Sequence, residues 1–190
     1  MFVETPFSVR VREPEGILSF TRDDMIAYAG LENVIASAVT LRLLSRAFAD
    51  LTEDGVPDRR SIRILTAFAG EGVRDCLELV TRAVTQGRFV LDPSAATFPA
   101  TPIGGAMYFE VACADRAMAY TFSESIFDAE WCRQVAAYQQ GTADPAVHAA
   151  YVAYKFAKVG RILAMPDVFA EVRPCSAERL ISLTSGRTVK

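Results

Sequence analysis

The stretch that decides the fold is SIRILTAFAGEGVRDCLELVTRAVTQGRFVLD, residues 61–92. SIRILTAF is short and rich in apolar and β-branched residues, with charges before it and glycines after it, as a strand would be. Val73, Cys76, Leu77, Val80 and Val84 then recur at helical spacing, and Gly87 offers a stop. RFVLD (88–92) predicts a second strand, so the segment forms a strand–helix–strand unit with room for a parallel pair.

Working outward toward the N-terminus, Phe7, Val9 and Val11 alternate with polar neighbours and predict a half-buried strand. Thr21 with Asp24 forms a capping-box pattern ahead of RDDMIAYA, and Gly30 ends that turn. Val34, Ala38, Leu41, Leu44, Phe48 and Leu51 mark the apolar side of a long helix, broken by Gly55 and Pro57.

On the other side, PSAATFPATPIGG (93–105) is a loop long enough to serve a function. AMYFEVACADRAMAYTF (106–122) predicts a hairpin. Ser123 is placed to cap a helix with Phe127, Trp131, Val135 and Tyr138 along one stripe. Asp144-Pro145 opens another helix that runs to about residues 160–165. The tail beyond Pro166 is weakly patterned. Three late strands without intervening helices predict an α+β fold with a mixed, mainly antiparallel sheet. We expect a single domain over residues 1–190, with a core at about 22–125 and a helical part at about 125–165.

Composition narrows the function classes. Half of the residues are apolar (51%) and the net charge is −3, with basic residues scattered among acids, which disfavours nucleic acid as a partner. No apolar run approaches the ~20 residues that span a bilayer. The N-terminal MFVETPFSVRVREPEG lacks the basic start and apolar stretch of a secretory signal, so the expected location is cytoplasmic, without membrane contact. Cys76, Cys113, Cys132 and Cys175 form no C-x-x-C pair and read as reduced, small hydrophobes. His148 is the only histidine, which argues against a common zinc site.

The junction Gly70-Glu71-Gly72 admits three interpretations. A helix N-terminus suits an anion. Yet GEGVRD matches neither nucleotide-binding glycine motif, and Glu71 and Asp75 repel phosphate. The two acids serve equally well as ordinary first-turn residues favoured by the helix dipole. Carboxylates at a strand end beside a long loop are also placed for general-base work, with Arg74 either orienting a substrate anion or lying in solvent.

AYAGLENVIASAVTLRLL (27–44), EGVRDCLELVTRAVTQGRFVL (71–91) and GGAMYFEVACADRAMAYTFSE (104–124) occur in an order that resembles the FmdE family, which includes a component of formylmethanofuran dehydrogenase. The first segment is similar to its opening G-H-x-C-P-G helix. The second matches its second motif in Asp75, Thr81 and Gly87, and the third matches its late hairpin. The resemblance covers roughly residues 22–125 and implies a helix–strand–helix unit followed by three strands. Where the family offers His and Cys ligands, this chain has Ala29, Leu31 and Asn33, and Glu71 or Gly72. The implied member is therefore metal-free, with no cofactor. Its residual pocket would comprise Tyr28, Glu32, Asn33, Glu71, Arg74 and Asp75, open to a small organic ligand. There Asp75 or Glu71 would be the base, Tyr28 a catalytic hydrogen-bond partner, and Arg74, Glu32 and Asn33 substrate contacts, under a lid formed by residues 93–105. The alternative is a non-catalytic, homodimeric subunit or assembly partner linked to one-carbon metabolism. The aromatic-rich C-terminal helices motivate it: Trp131, Tyr138, Tyr151, Tyr154 and Phe156, together with Val147.

Overall fold

The computed structural model describes residues 8–98, 100–101, 104–141 and 144–185. In chain order the elements are β1 (Ser8–Glu13), β2 (Gly16–Thr21), α1 (Arg22–Ala29), a 3-10 turn (Leu31–Asn33), α2 (Val34–Leu51), β3 (Ile62–Phe68) and α3 (Glu71–Thr81). There follow β4 (Phe89–Leu91), β5 (Ala100–Thr101), β6 (Gly105–Cys113), β7 (Arg116–Phe122), α4 (Ala129–Gln140), α5 (Pro145–Ala164), β8 (Phe169–Pro174) and α6 (Ala177–Ser185). The main sheet runs β4-β3-β6-β7-β8, and β5 pairs with the start of β6. Only the β3–β4 pair, joined through α3, is parallel; the other pairs of this sheet are antiparallel. The fold is thus α+β, with the mixed, mainly antiparallel sheet that the order of elements predicts. Phe7, expected in the first strand, lies outside the described residues, as do Pro99, Pro102 and Ile103 of the 93–105 segment.

Both faces of the sheet are covered. Met107, Phe109, Val111 and Cys113 of β6 point to one side and join Ile62 and Ile64 of β3 in the larger core under α1, α2, α3 and α5. Ala106, Tyr108 and Ala112 alternate to the other side, where Leu180 of α6 and the segment around Ala95 and Ala96 cover them. This double burial explains why β6 is apolar almost throughout instead of alternating. Among the described residues no helix is long and apolar enough to cross a membrane.

Local chemistry sets the helix ends that matter. At α1 the Thr21 hydroxyl accepts the Asp24 N–H at 3.2 Å, and the Asp24 carboxylate accepts the Thr21 N–H at 2.7 Å, as the sequence pattern predicts. Gly30, at φ +94°, ends the helix, and its N–H donates to the carbonyl of Ile26 at 2.9 Å. α3 stops at Thr81, earlier than the Gly87 stop expected from the pattern. The buried carboxylate of Glu78 accepts the N–H groups of Val84 at 2.8 Å and Thr85 at 3.2 Å, drawing the chain into a turn. Arg59 closes the same end by donating to the carbonyls of Val80 at 2.8 Å and Leu79 at 2.6 Å, a cation where the helix dipole is negative.

Three elements escape the sequence pattern. β2 pairs with β1 in a separate hairpin but is largely exposed, so it shows no alternation. β8 is an edge strand with little burial, and α6 follows it. Ser123, expected to cap the helix after β7, instead caps a 3-10 turn over Glu124–Phe127. Asp128 caps α4, accepting the N–H of Trp131 at 2.9 Å.

Candidate functional site

The glycines of the β3–α3 junction make room for two neighbouring side chains. A Cβ on Gly72 would overlap the Oδ1 of Asn33, and a Cβ on Gly70 would overlap the ring of Phe68. Gly104 receives the other edge of that ring: a Cβ there would stand 2.6 Å from its Cε2. The Phe68 ring therefore lodges between two turns. A bulge in the β3–β6 pairing between Thr66 and Phe68 sets it there. The Thr66 hydroxyl fills the gap, donating to the Tyr108 carbonyl at 2.8 Å and accepting the Phe68 N–H at 3.0 Å.

Asn33 closes the facing corner. Its Nδ2 donates to the carbonyl of Ala29 at 2.6 Å, joining the end of α1 to the start of α2. The two corners meet around a cavity of about 500 Å³. Glu32 and Asn33 enter it from the 3-10 turn, and Glu71 and Asp75 from the first turns of α3. Val39, Phe68, Met107, Phe127, Trp131 and Tyr151 supply an apolar, largely aromatic floor. Such a size and lining suit a small organic molecule held by a few polar groups.

Four of the six residues singled out from sequence, Glu32, Asn33, Glu71 and Asp75, therefore share one cavity wall. Tyr28 and Arg74 do not line it. Tyr28 is 53% exposed and borders a shallow groove with Phe20 and Leu79; one step along α1 turns the chain about 100°, so Ala29 faces the cavity instead. Arg74 is exposed and stands 3.8 Å from the Asp75 carboxylate on the solvent side. The described part of the 93–105 segment does not cover the site, because Ala95 and Ala96 pack against the opposite face of the sheet. Thr81 sits at the other end of α3, its hydroxyl donating to the Leu77 carbonyl at 2.7 Å.

Sequence reasoning missed Lys155 of α5. It lines the cavity while only 8% exposed. Its ammonium donates to the main-chain carbonyl of Glu32 at 3.1 Å and lies 5.0 Å over the Tyr151 ring. Burial lowers its pKa from the ordinary lysine value, and the nearby Glu32 charge opposes that shift. The available signal was a lysine in register with Val159 and Ile162, on the buried stripe of α5. Trp131, 4% exposed, adds a second feature: its indole Nε1 is buried with no acceptor among the described residues. The carboxylates of Glu32 and Glu71 accept no hydrogen bond and form no salt bridge among the described residues.

Metal and thiol chemistry find little support here. Among the described residues no group of three or more His, Cys, Asp or Glu is placed to hold a metal ion. Where the resembled family offers His and Cys, this chain carries Ala29, Leu31 and Gly72, whose side chains have no donor, Asn33, whose amide N–H is bound to Ala29, and Glu71, a lone carboxylate in place of a thiolate. The residues present do not fit that family's metal. Cys76, beside Asp75 in sequence, is buried, and burial with the Asp75 charge pushes its pKa up to about 12, leaving an inert thiol.

No family model, curated protein or solved structure matches this chain. The fold and the site define a class: an α+β protein with a cavity between a helix corner, a strand-to-helix junction and a C-terminal helix pair.

Proposed function

We propose that the chain binds a small organic molecule in the cavity between the α1–α2 corner and the start of α3. This would make it a metal-independent relative of the FmdE family, which its motif order resembles. One observation carries the reading: Glu32, Glu71 and Asp75 converge with the buried Lys155 on a single space of about 500 Å³ floored by aromatic rings. The carboxylates of Glu32 and Glu71, unpaired among the described residues, and the Asp75 carboxylate beside Arg74 supply acceptors and general-base candidates, and the aromatic floor supplies the burial that holds an organic body. Arg74 and Tyr28, outside the wall, take no direct part. The test is a thermal-shift and native mass spectrometry screen of small metabolites on the full chain and on Asp75→Asn. A ligand that shifts the wild type and fails to shift Asp75→Asn supports the reading. A ligand bound equally by both removes Asp75 from the site.

A second reading, homodimerisation through the C-terminal helices, draws on Phe156, 48% exposed on α5, and on the Tyr138–Tyr151 stack at 4.4 Å between α4 and α5. Light scattering tests it: a dimer that Phe156→Glu converts to a monomer supports this surface, and a monomeric wild type dismisses it.

A further inference from the structure

The cavity wall holds charges of both signs. At its mouth stand Glu32 and Glu71, whose carboxylates have no hydrogen-bond donor or salt-bridge partner among the described residues, while Asp75 is turned toward Arg74. Lys155 stands on the wall contributed by α5. An ammonium has three N–H donors. Among the described residues this one has a single hydrogen-bond acceptor, the Glu32 carbonyl, together with the π face of Tyr151. Taking an ammonium out of water is costly unless other groups replace its hydration. Trp131, on the same apolar wall, has a buried N–H that also lacks an acceptor. The inner wall therefore holds buried donors with spare capacity, and the mouth presents solvent-exposed carboxylates that a ligand cation can take over from water.

We infer that the cavity takes a zwitterionic amino carboxylate with an apolar body, its carboxylate at Lys155, its ammonium at Glu32 and Glu71, and its side group on the aromatic floor. The inference rests on the cavity being the binding site and adds the chemical class of its occupant. An anion alone would meet the carboxylates at the mouth. A cation alone would compete with Lys155 for the Glu32 charge and bring the lysine no further acceptor. A molecule carrying both satisfies each end, and its apolar body displaces water from Phe68, Phe127 and Trp131.

Trp131 is the only tryptophan in the chain, so its emission reports on this cavity without a label. Four probes of similar shape separate the charges: L-phenylalanine, phenethylamine, 3-phenylpropionate and 2-phenylethanol, each titrated into the full chain. L-phenylalanine is expected to change the Trp131 emission saturably and to bind about tenfold or more tighter than either singly charged probe, since charge-assisted hydrogen bonds are the strong ones. Lys155→Met is expected to weaken L-phenylalanine and 3-phenylpropionate about tenfold or more and to spare phenethylamine; Lys155→Arg restores the anionic probes in part. The wild-type ranking stands by itself if Lys155→Met does not fold. Phenethylamine binding as tightly as L-phenylalanine, or a folded Lys155→Met with undiminished L-phenylalanine affinity, overturns the inference. If 2-phenylethanol matches L-phenylalanine, the zwitterion is wrong and the binding cavity stands. Silence of Trp131 to all four probes overturns both.

Discussion

The side-chain oxygen of Asn33 occupies the place where residue 72 would carry a Cβ, and the amide of the same side chain donates to the Ala29 carbonyl at 2.6 Å. One asparagine thus fixes the α1–α2 corner and holds it against the first turn of α3. The Gly-Glu-Gly junction serves this close approach, which answers how its glycines are used without a bound phosphate.

Gly72→Ala should therefore lower the melting temperature although alanine is the better helix former. Displacing the anchored Asn33 is expected to cost about 1–3 kcal/mol, more than the roughly 1 kcal/mol of helix propensity gained. In the Asn33→Ala background the cost should shrink without vanishing, because the Cβ that alanine keeps at position 33 would still stand 2.8 Å from the new methyl. A double-mutant cycle by denaturant unfolding measures the difference, and additive single effects would contradict the contact.

Asp75→Asn and Glu71→Gln are exposed or half-exposed changes and should alter stability by no more than about 0.5 kcal/mol. Ligand affinity should fall in both. If Asp75→Asn instead unfolds the protein several degrees lower with ligand response intact, the residue acts through the stability of α3; Glu71, not Asp75, is the acid in the first turn of that helix.

Alkaline pH should destabilise the fold through its buried thiols. Burial raises Cys76 and Cys113 from 9.0 to about 12, with the Asp75 charge adding to the shift at Cys76. A raised folded-state pKa gives stability that is fully present below about 9 and is lost as pH climbs toward 12. Unfolding free energies measured from pH 8 upward should fall more gently in Cys113→Ala than in the wild type. In the native state a thiol reagent should modify the half-buried Cys132 and Cys175 first.

On the far side of the sheet, Glu110 is buried at 3% exposure, accepts the Tyr108 hydroxyl at 2.6 Å and pairs with Arg179 of α6. Arg179→Met would leave that carboxylate buried without its cation, with the Tyr108 hydroxyl and the Cys175 thiol as neighbours. A loss of about 1–3 kcal/mol is expected, with faster amide exchange in α6. Glu110→Gln in the same chain should recover part of it.

The parts of the fold that were legible are those where one face meets a core. The helical periodicities of α3 and α2 follow from burial on one side, β3 reads as an apolar run because both its faces are buried, and the Thr21–Asp24 cap is local chemistry that any structure containing it must use. β2 and β8 were illegible because exposed edge strands need no alternation, and α6 because only Ala177, Leu180 and Thr184 are buried along it. The site divided in the same way. Glu32, Asn33, Glu71 and Asp75 sit at turns whose positions were readable. Tyr28 and Arg74 depended on helix rotation relative to a partner surface. Lys155 is separated by 123 residues from the Glu32 carbonyl it binds, a distance that no local pattern spans.

Phe68 has a consequence for what the cavity could admit. Its ring is gripped by Gly70 on one turn and Gly104 on the next, so the depth of the chamber is inherited from the end of β3. A bulkier guest would require a smaller residue at position 68, and a smaller guest would rattle unless that position stayed filled. Guest size is thereby written into the scaffold, at a strand end.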